Sequence, residues 1–259
     1  MSLQENYWSN VIVRSDTLGT EYCFIPISVF LFGRDNERVD ILAEYLVGRY
    51  PITKAEFLQF IAETNYDYSD EDIQIMNLLS PMPDCPATPI SWRDAKAYAR
   101  WMRKKTGEYY SLPSEHEWES ASRGTNGFKY PWGMKEPTFV QAHYSEQFPS
   151  VKTIPVGSKP SNESSYGCRD TVGNIWEWCL DKFEDNNEIH VLRGGSCVES
   201  LDSCNSVSKK FCCDPHYRMP YAGFRLMYLP GEMFEFYRIA ANSASSGRYT
   251  DTSSKTIIL

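Results

Sequence analysis

RGGSCVESLDSCNSVSKKFCCDPHYRMPYAGFR, residues 193–225, is the stretch on which the reading of this chain turns, with VGNIWEWC at 172–179 just ahead of it. Arg193 and Arg225 bracket the segment. Their planar guanidinium forks suit bidentate pairing with carboxylates, so both are expected in buried or half-buried ion pairs. Gly194 and Gly195 make a tight pair, but no lysine and no helix signal follows, so this is not a phosphate cradle. Four of the eight cysteines fall here: Cys197, Cys204, Cys212 and Cys213. Adjacent residues point to opposite faces of a strand, which makes Cys212 and Cys213 a poor two-ligand site. The Tyr, Asn and Ser content suits a contact surface, offering amphipathic area and adaptable hydrogen bonding.

Further blocks lie upstream. SLPSEHEWESASR occupies 111–123, followed by YPWG at 130–133; YLVGRYPITKAEFLQF occupies 45–60; PISWRDAKAYARWMRKKTG occupies 89–107; and KPSNESSYGCRD occupies 159–170. Taken in order, and together covering about 24–228, these blocks resemble the formylglycine-generating enzyme (sulfatase-modifying factor) family. The resemblance implies an α+β fold: the formylglycine-generating-enzyme-like variant of the C-type lectin fold, with a few short helices and much irregular structure. It implies one domain over 24–230, an N-terminal extension over 1–23 and a C-terminal extension over 231–259.

In the oxidases of that family one Cys stands three residues after the GGS serine and another eight after it. Both serve as soft thiolate ligands to Cu(I). Here those positions hold Glu199 and Cys204. A carboxylate is a hard donor and forms neither a copper thiolate nor a disulfide. Two functions follow from the resemblance. In one, the chain is a non-catalytic ligand- or protein-binding module. It displays 197–221 through Glu199, Leu201, Asp202, Asn205, His216, Tyr217, Met219 and Tyr221, as in the retroelement variable proteins that resemble the same family. In the other, it is a copper-dependent oxidase acting on a cysteine of a protein substrate. Cys197 and Cys204 then form a shifted catalytic pair, because residues 197 and 199 of an extended segment face the same side. The resemblance also implies a structural Ca²⁺ held by Asp170, Gly173, Ile175 and Glu177, oxygen donors of the kind that ion takes.

The net charge of −8 argues against nucleic acid or an anionic membrane as partner. No run approaches the ~20 apolar residues of a membrane span; FIPISVFLF at 24–32 is too short and reads as a buried strand. The start, MSLQENYWSN, has no basic region leading into an apolar run, so a cytoplasmic chain with reduced thiols is expected. Most of its cysteines then act as small apolar fillers. His116, His143, His190 and His216 show no metal or catalytic spacing.

Three capping boxes, Thr53/Glu56, Ser91/Asp94 and Ser114/Glu117, each predict a helix start, with Gly107 stopping the second helix. A further helix is predicted over 69–79, and strands over 23–32, 189–193 and 224–228. Beyond Gly124 the recurring Gly, Pro, Asn and Ser predict long loops. Residues 232–239 read as one or two amphipathic turns. Residues 240–255, rich in Ser and Thr, read as lacking fixed structure, and the tail is a candidate contact to another subunit.

Overall fold

The helices begin where the capping residues put them. In the computed structural model, which describes residues 11–16, 18–145, 152–183, 186–200, 204 and 210–245, Thr53, Ser91 and Ser114 each accept a hydrogen bond from the backbone N–H three residues on, and Glu56, Asp94 and Glu117 reach back to complete the box. They open α1 (Lys54–Thr64), α3 (Trp92–Thr106) and α4 (Glu115–Arg123), while Ser69 caps α2 (Asp70–Leu79). Gly107 ends α3 in the left-handed conformation (φ 79°), open to glycine without a Cβ penalty.

The strands are β1 (Val13–Ser15), β2 (Glu21–Ile25), β3 (Ser28–Phe32), β4 (Glu37–Ile41), β5 (Tyr45–Gly48), β6 (Tyr109–Ser111), β7 (Trp176–Phe183), β8 (Asn186–Arg193), β9 (Lys210–Cys213), β10 (Ala222–Gly223) and β11 (Met227–Leu229). An antiparallel sheet runs β1-β2-β5-β11-β6, a second sheet runs β10-β7-β8-β9, and β3 and β4 form a hairpin. Residues 13–23, placed ahead of the domain by the sequence blocks, supply β1 and the first half of β2. They are therefore part of the largest sheet.

The single strand expected over 23–32 is two strands. Pro26 has no N–H to give a ladder, and Ile27 turns out to 63% exposure between them. Of the strand expected over 224–228 only Met227 and Tyr228 form, within β11. Ala222 and Gly223 pair with β7, Met227 to Leu229 pair with β5 and β6, and the residues between leave the ladders so that Arg225 can turn inward. From Gly124 to Ile175 the described residues form no named strand or helix, as the composition predicts.

The C-terminal expectation changes most. α5 (Gly231–Ser245) is 15 residues long, so helix continues through residues 240–245, where the Ser-rich composition pointed to none. Tyr237 and Ala241, four residues apart, are the buried face, and the Tyr237 hydroxyl donates to the Glu117 carboxylate at 2.5 Å. Tertiary packing outweighs weak local propensity here.

One apolar cluster joins α1 and α3 to Tyr22, Tyr110, Trp178 and Phe224. A second fills the space between the large sheet, the β3–β4 hairpin and α5, and includes Cys23, Phe30, Tyr45, Val47, Cys168 and Tyr237.

Candidate functional site

The centre of the molecule is a buried ion pair. The Arg225 guanidinium donates to both Glu177 carboxylate oxygens at 2.6 and 2.7 Å, and both side chains are 1% exposed. The remaining guanidinium hydrogens reach the carbonyls of Gly48 (2.9 Å), Arg49 (3.2 Å) and Arg169 (2.8 Å), while the Trp118 indole N–H donates to Glu177 at 2.8 Å. The strands β7, β5 and the 169–170 loop therefore share one charge-assisted knot. Arg193 likewise pairs with Glu115 at 2.9 Å and with Glu119, which also binds Arg123 at 2.7 Å. Both bracketing arginines thus fill the structural role their sequence positions predict.

Glu177 lies midway between the two ends of the 194–222 segment. It pairs with Arg193 of β8 on one side and with Gly223 of β10 on the other. Within the segment, Arg218 clamps the later half. Its guanidinium donates to Asp94 (2.9 and 3.1 Å), Asp72 (2.6 Å) and the Asp67 carbonyl (2.9 Å), and lies 4.4 Å from the Tyr68 ring centroid. Asp94 is also the acid that completes the α3 capping box, so the helix start and the displayed loop share an anchor.

The described residues of the predicted ligand surface divide into two groups. His216 and Tyr217 (54% exposed) face solvent, whereas Glu199, Met219 and Tyr221 are half-buried. Leu201, Asp202 and Asn205 lie outside the described residues. Two further aromatics belong with this surface. Phe211 on β9 is 44% exposed and tilts against Trp176 at 5.8 Å between centroids. The Trp176 indole N–H and the Ser196 hydroxyl are buried with no hydrogen-bond partner among the described residues. Residues 210–213 carry no turn or alternation signal, so Phe211 was legible only through pairing with β8.

The thiols do not take the arrangement that a shifted pair requires. Residues 196–199 are not extended, because the Glu199 N–H closes a turn on the Ser196 carbonyl at 3.2 Å. Cys197 is consequently fully buried while Glu199 is half-exposed, so the two do not share a face. Burial pushes the Cys197 thiol up to about 12. Cys204, also fully buried, donates to the Ser196 carbonyl at 3.3 Å and packs among Tyr130, Ala142, Tyr144 and Val172. Cu(I) takes soft thiolate ligands, and both thiols here are closed off from solvent.

Calcium fares no better at the predicted set. Both Glu177 oxygens are taken by Arg225, whose positive charge opposes a second cation. The Gly173 carbonyl accepts the Ile175 N–H at 2.9 Å, and Asp170 accepts the Gly157 N–H at 2.6 Å. Burial raises the Asp170 carboxyl to about 6, against the opposing pull of the Gly157 hydrogen bond and Arg225. Among the described residues no group of three or more His, Cys, Asp or Glu side chains is gathered for a metal ion. The loop instead holds itself. Asn174 exchanges two hydrogen bonds with the Ile154 backbone at 3.0 Å, and Gly173 (φ 75°) sits where a Cβ would fall 2.5 Å from the His143 carbonyl oxygen.

His143 and His190 are buried, which lowers the affinity of both for a proton, and each bonds backbone carbonyls. His190 stacks on Trp92 at 3.8 Å between centroids.

Residues 15–228 match the sulfatase-modifying factor enzyme 1-like domain family. The inactive C-alpha-formylglycine-generating enzyme 2 of Bos taurus is 27% identical over 223 residues, covering 66% of this chain and 72% of that protein. The hercynine oxygenase of Mycobacterium tuberculosis is 30% identical over 246 residues, covering 75% of this chain but only 55% of that protein. The structure of PvdO from Pseudomonas aeruginosa superposes with a TM-score of 0.68 at 22% identity, covering 84% of this chain and 98% of that one.

Proposed function

The chain belongs to the sulfatase-modifying factor enzyme 1-like family, and from that premise we propose that it is a non-catalytic recognition module that binds a protein or peptide through the 197–221 segment. The observation that carries this reading is the inversion of the segment. Its described cysteines at 197 and 204 are turned inside, while Phe211, His216 and Tyr217 are turned out. Exposed aromatic side chains on a clamped loop offer rigid contact area at low entropic cost. An inactive relative in the same family supports the reading. The net charge of −8 turns the search away from nucleic acid and towards protein and peptide ligands, and the cytoplasm is the proposed place of action.

The test is to pan a displayed peptide library on the full chain and on Phe211→Ala and Tyr217→Ala variants. Selected peptides are expected to lose at least about tenfold in affinity on the variants, as for a central aromatic contact. Peptides that bind the variants as tightly as the parent remove the segment from the role. Oxidation of a cysteine peptide by the copper-loaded protein overturns the non-catalytic reading.

A second reading, a copper-dependent oxidase using Cys197 and Cys204, draws on the oxygenase among the relatives and on Cys204 standing at the second thiol position. It predicts one tightly bound Cu(I) that is lost in Cys204→Ser. Copper uptake no different between the two proteins disposes of it.

A further inference from the structure

Two cysteines that the site leaves unused come together from distant parts of the chain. Cys23 is the middle residue of β2, and Cys168 lies in the loop that leads to Asp170 and Glu177. Both are fully buried in the same apolar cluster, close enough for each thiol to shift the other's proton affinity. The sulphur of Cys23 lies against the neighbouring backbone, since a Cβ on Gly167 would fall 3.5 Å from it. That approach depends on glycine at 167, which has φ 88° and where a Cβ would also meet Val11 at 2.5 Å. Cys168 is itself fixed, its N–H donating to the Ser164 hydroxyl at 3.2 Å and its carbonyl accepting the Ser164 N–H at 2.8 Å. The other described thiols have different surroundings. Cys85 donates to the Thr153 carbonyl, Cys179 packs with Trp118 and Val191, and Cys212 and Cys213 lie half-exposed on β9.

We propose that Cys23 and Cys168 are a disulfide site, oxidised by a low-molecular-weight disulfide such as oxidised glutathione, and that the bond pins the 162–175 loop to β2. One cysteine, as its thiolate, attacks a glutathione sulphur. This forms a mixed disulfide and releases one glutathione. The second cysteine gives up its proton and displaces the remaining glutathione. Two protein thiols are oxidised to one disulfide, and one glutathione disulfide is reduced to two thiols. Because neither sulphur is accessible in the closed state, exchange passes through opening of the 162–170 turn, which contains no helix or strand. The bond fixes the path from β2 to Glu177, and so the base of the displayed segment.

The experiment is to unfold the full chain in urea, refold it in a glutathione redox buffer, quench by alkylation and map the peptides by mass spectrometry. The expected product has one linked pair, Cys23 to Cys168, with the remaining cysteines alkylated. The link persists in Cys212→Ala and disappears in Cys168→Ala. Amide exchange across 162–170 is expected to be at least about tenfold slower in the oxidised protein than in the reduced one. Recovery of both Cys23 and Cys168 as alkylated thiols overturns the proposal, as does a link that joins either one to another cysteine. Refolding removes the access barrier, and the mapping is done on the unaltered chain, so a variant that fails to fold does not cloud the outcome.

Discussion

Replacing Arg225 with leucine isolates the knot on which the fold and the displayed segment both depend. The substitution keeps bulk but removes five hydrogen bonds: two to Glu177 and one each to the carbonyls of Gly48, Arg49 and Arg169. Glu177 is then left buried, with the Trp118 N–H as its remaining bond among those described above. Breaking a fully buried pair by removing one partner typically costs about 3–5 kcal/mol. Leucine recovers part of that through apolar burial, while the orphaned carbonyls add to the loss. A net cost of about 4 kcal/mol is a large share of the ~5–15 kcal/mol of a whole domain. With a urea dependence of ~2 kcal/mol per molar, the unfolding midpoint falls by about 2 M. Urea melts followed by circular dichroism and by tryptophan fluorescence read this directly. Glu177→Gln in the Arg225→Leu background removes the uncompensated charge. The double variant should therefore be more stable than the sum of the two single losses, by roughly 1–3 kcal/mol. A loss of under ~1 kcal/mol for Arg225→Leu, or strict additivity with Glu177→Gln, would show that the pair does not carry the charge balance described.

Arg218→Ala is expected to cost only about 1–2 kcal/mol, because its guanidinium is partly solvated. Its clearer effect is on the loop: amide exchange across 214–221 should quicken while the large sheet is unchanged, and equal protection in both proteins would contradict the clamp. Tyr217→Ala, at an exposed position, should leave stability within about 0.5 kcal/mol of the parent, and a larger drop in melting temperature would mean that the ring packs as core. Asp170, buried and raised from 3.8 to about 6, binds its proton more tightly folded than unfolded. Its contribution to stability is therefore full below about pH 4 and lost as the pH rises through about 6. The difference is at most about 3 kcal/mol. Asp170→Asn, which tolerates the left-handed backbone there (φ 58°), should flatten that part of the stability–pH curve. An unchanged slope in the variant would refute the assignment.

Helix starts were legible because capping is local: a hydroxyl and an acid three residues apart settle the first turn without tertiary help. The pairing roles of Arg193 and Arg225 were legible too, since a guanidinium within a largely apolar stretch must find carboxylates. What misled was geometry that only the third dimension decides. Cys197 and Glu199 looked like neighbours on one face, but the Ser196 carbonyl turns the chain between them. Glu177 looked like a metal ligand until Arg225, 48 residues later, was found on both of its oxygens. β5, β6 and β11, each three or four residues long, carry too little alternation to be recognised alone; they exist because they pair with one another. In α5 the serines of the last turns hid a helix whose Tyr237 and Ala241 face the core.

Glu177 stands between Arg193 and Gly223 on adjacent strands, so the two ends of the 194–222 stretch are moored about 10 Å apart, two strand spacings, whatever lies between them. Closing a loop of twice the length over the same span costs only about 0.6 kcal/mol more. The stretch is thus an exchangeable cassette. Its exposed positions can be rewritten while the moorings, Arg193, Glu177 and Arg225, the buried Cys204 and the β9 ladder stay as they are.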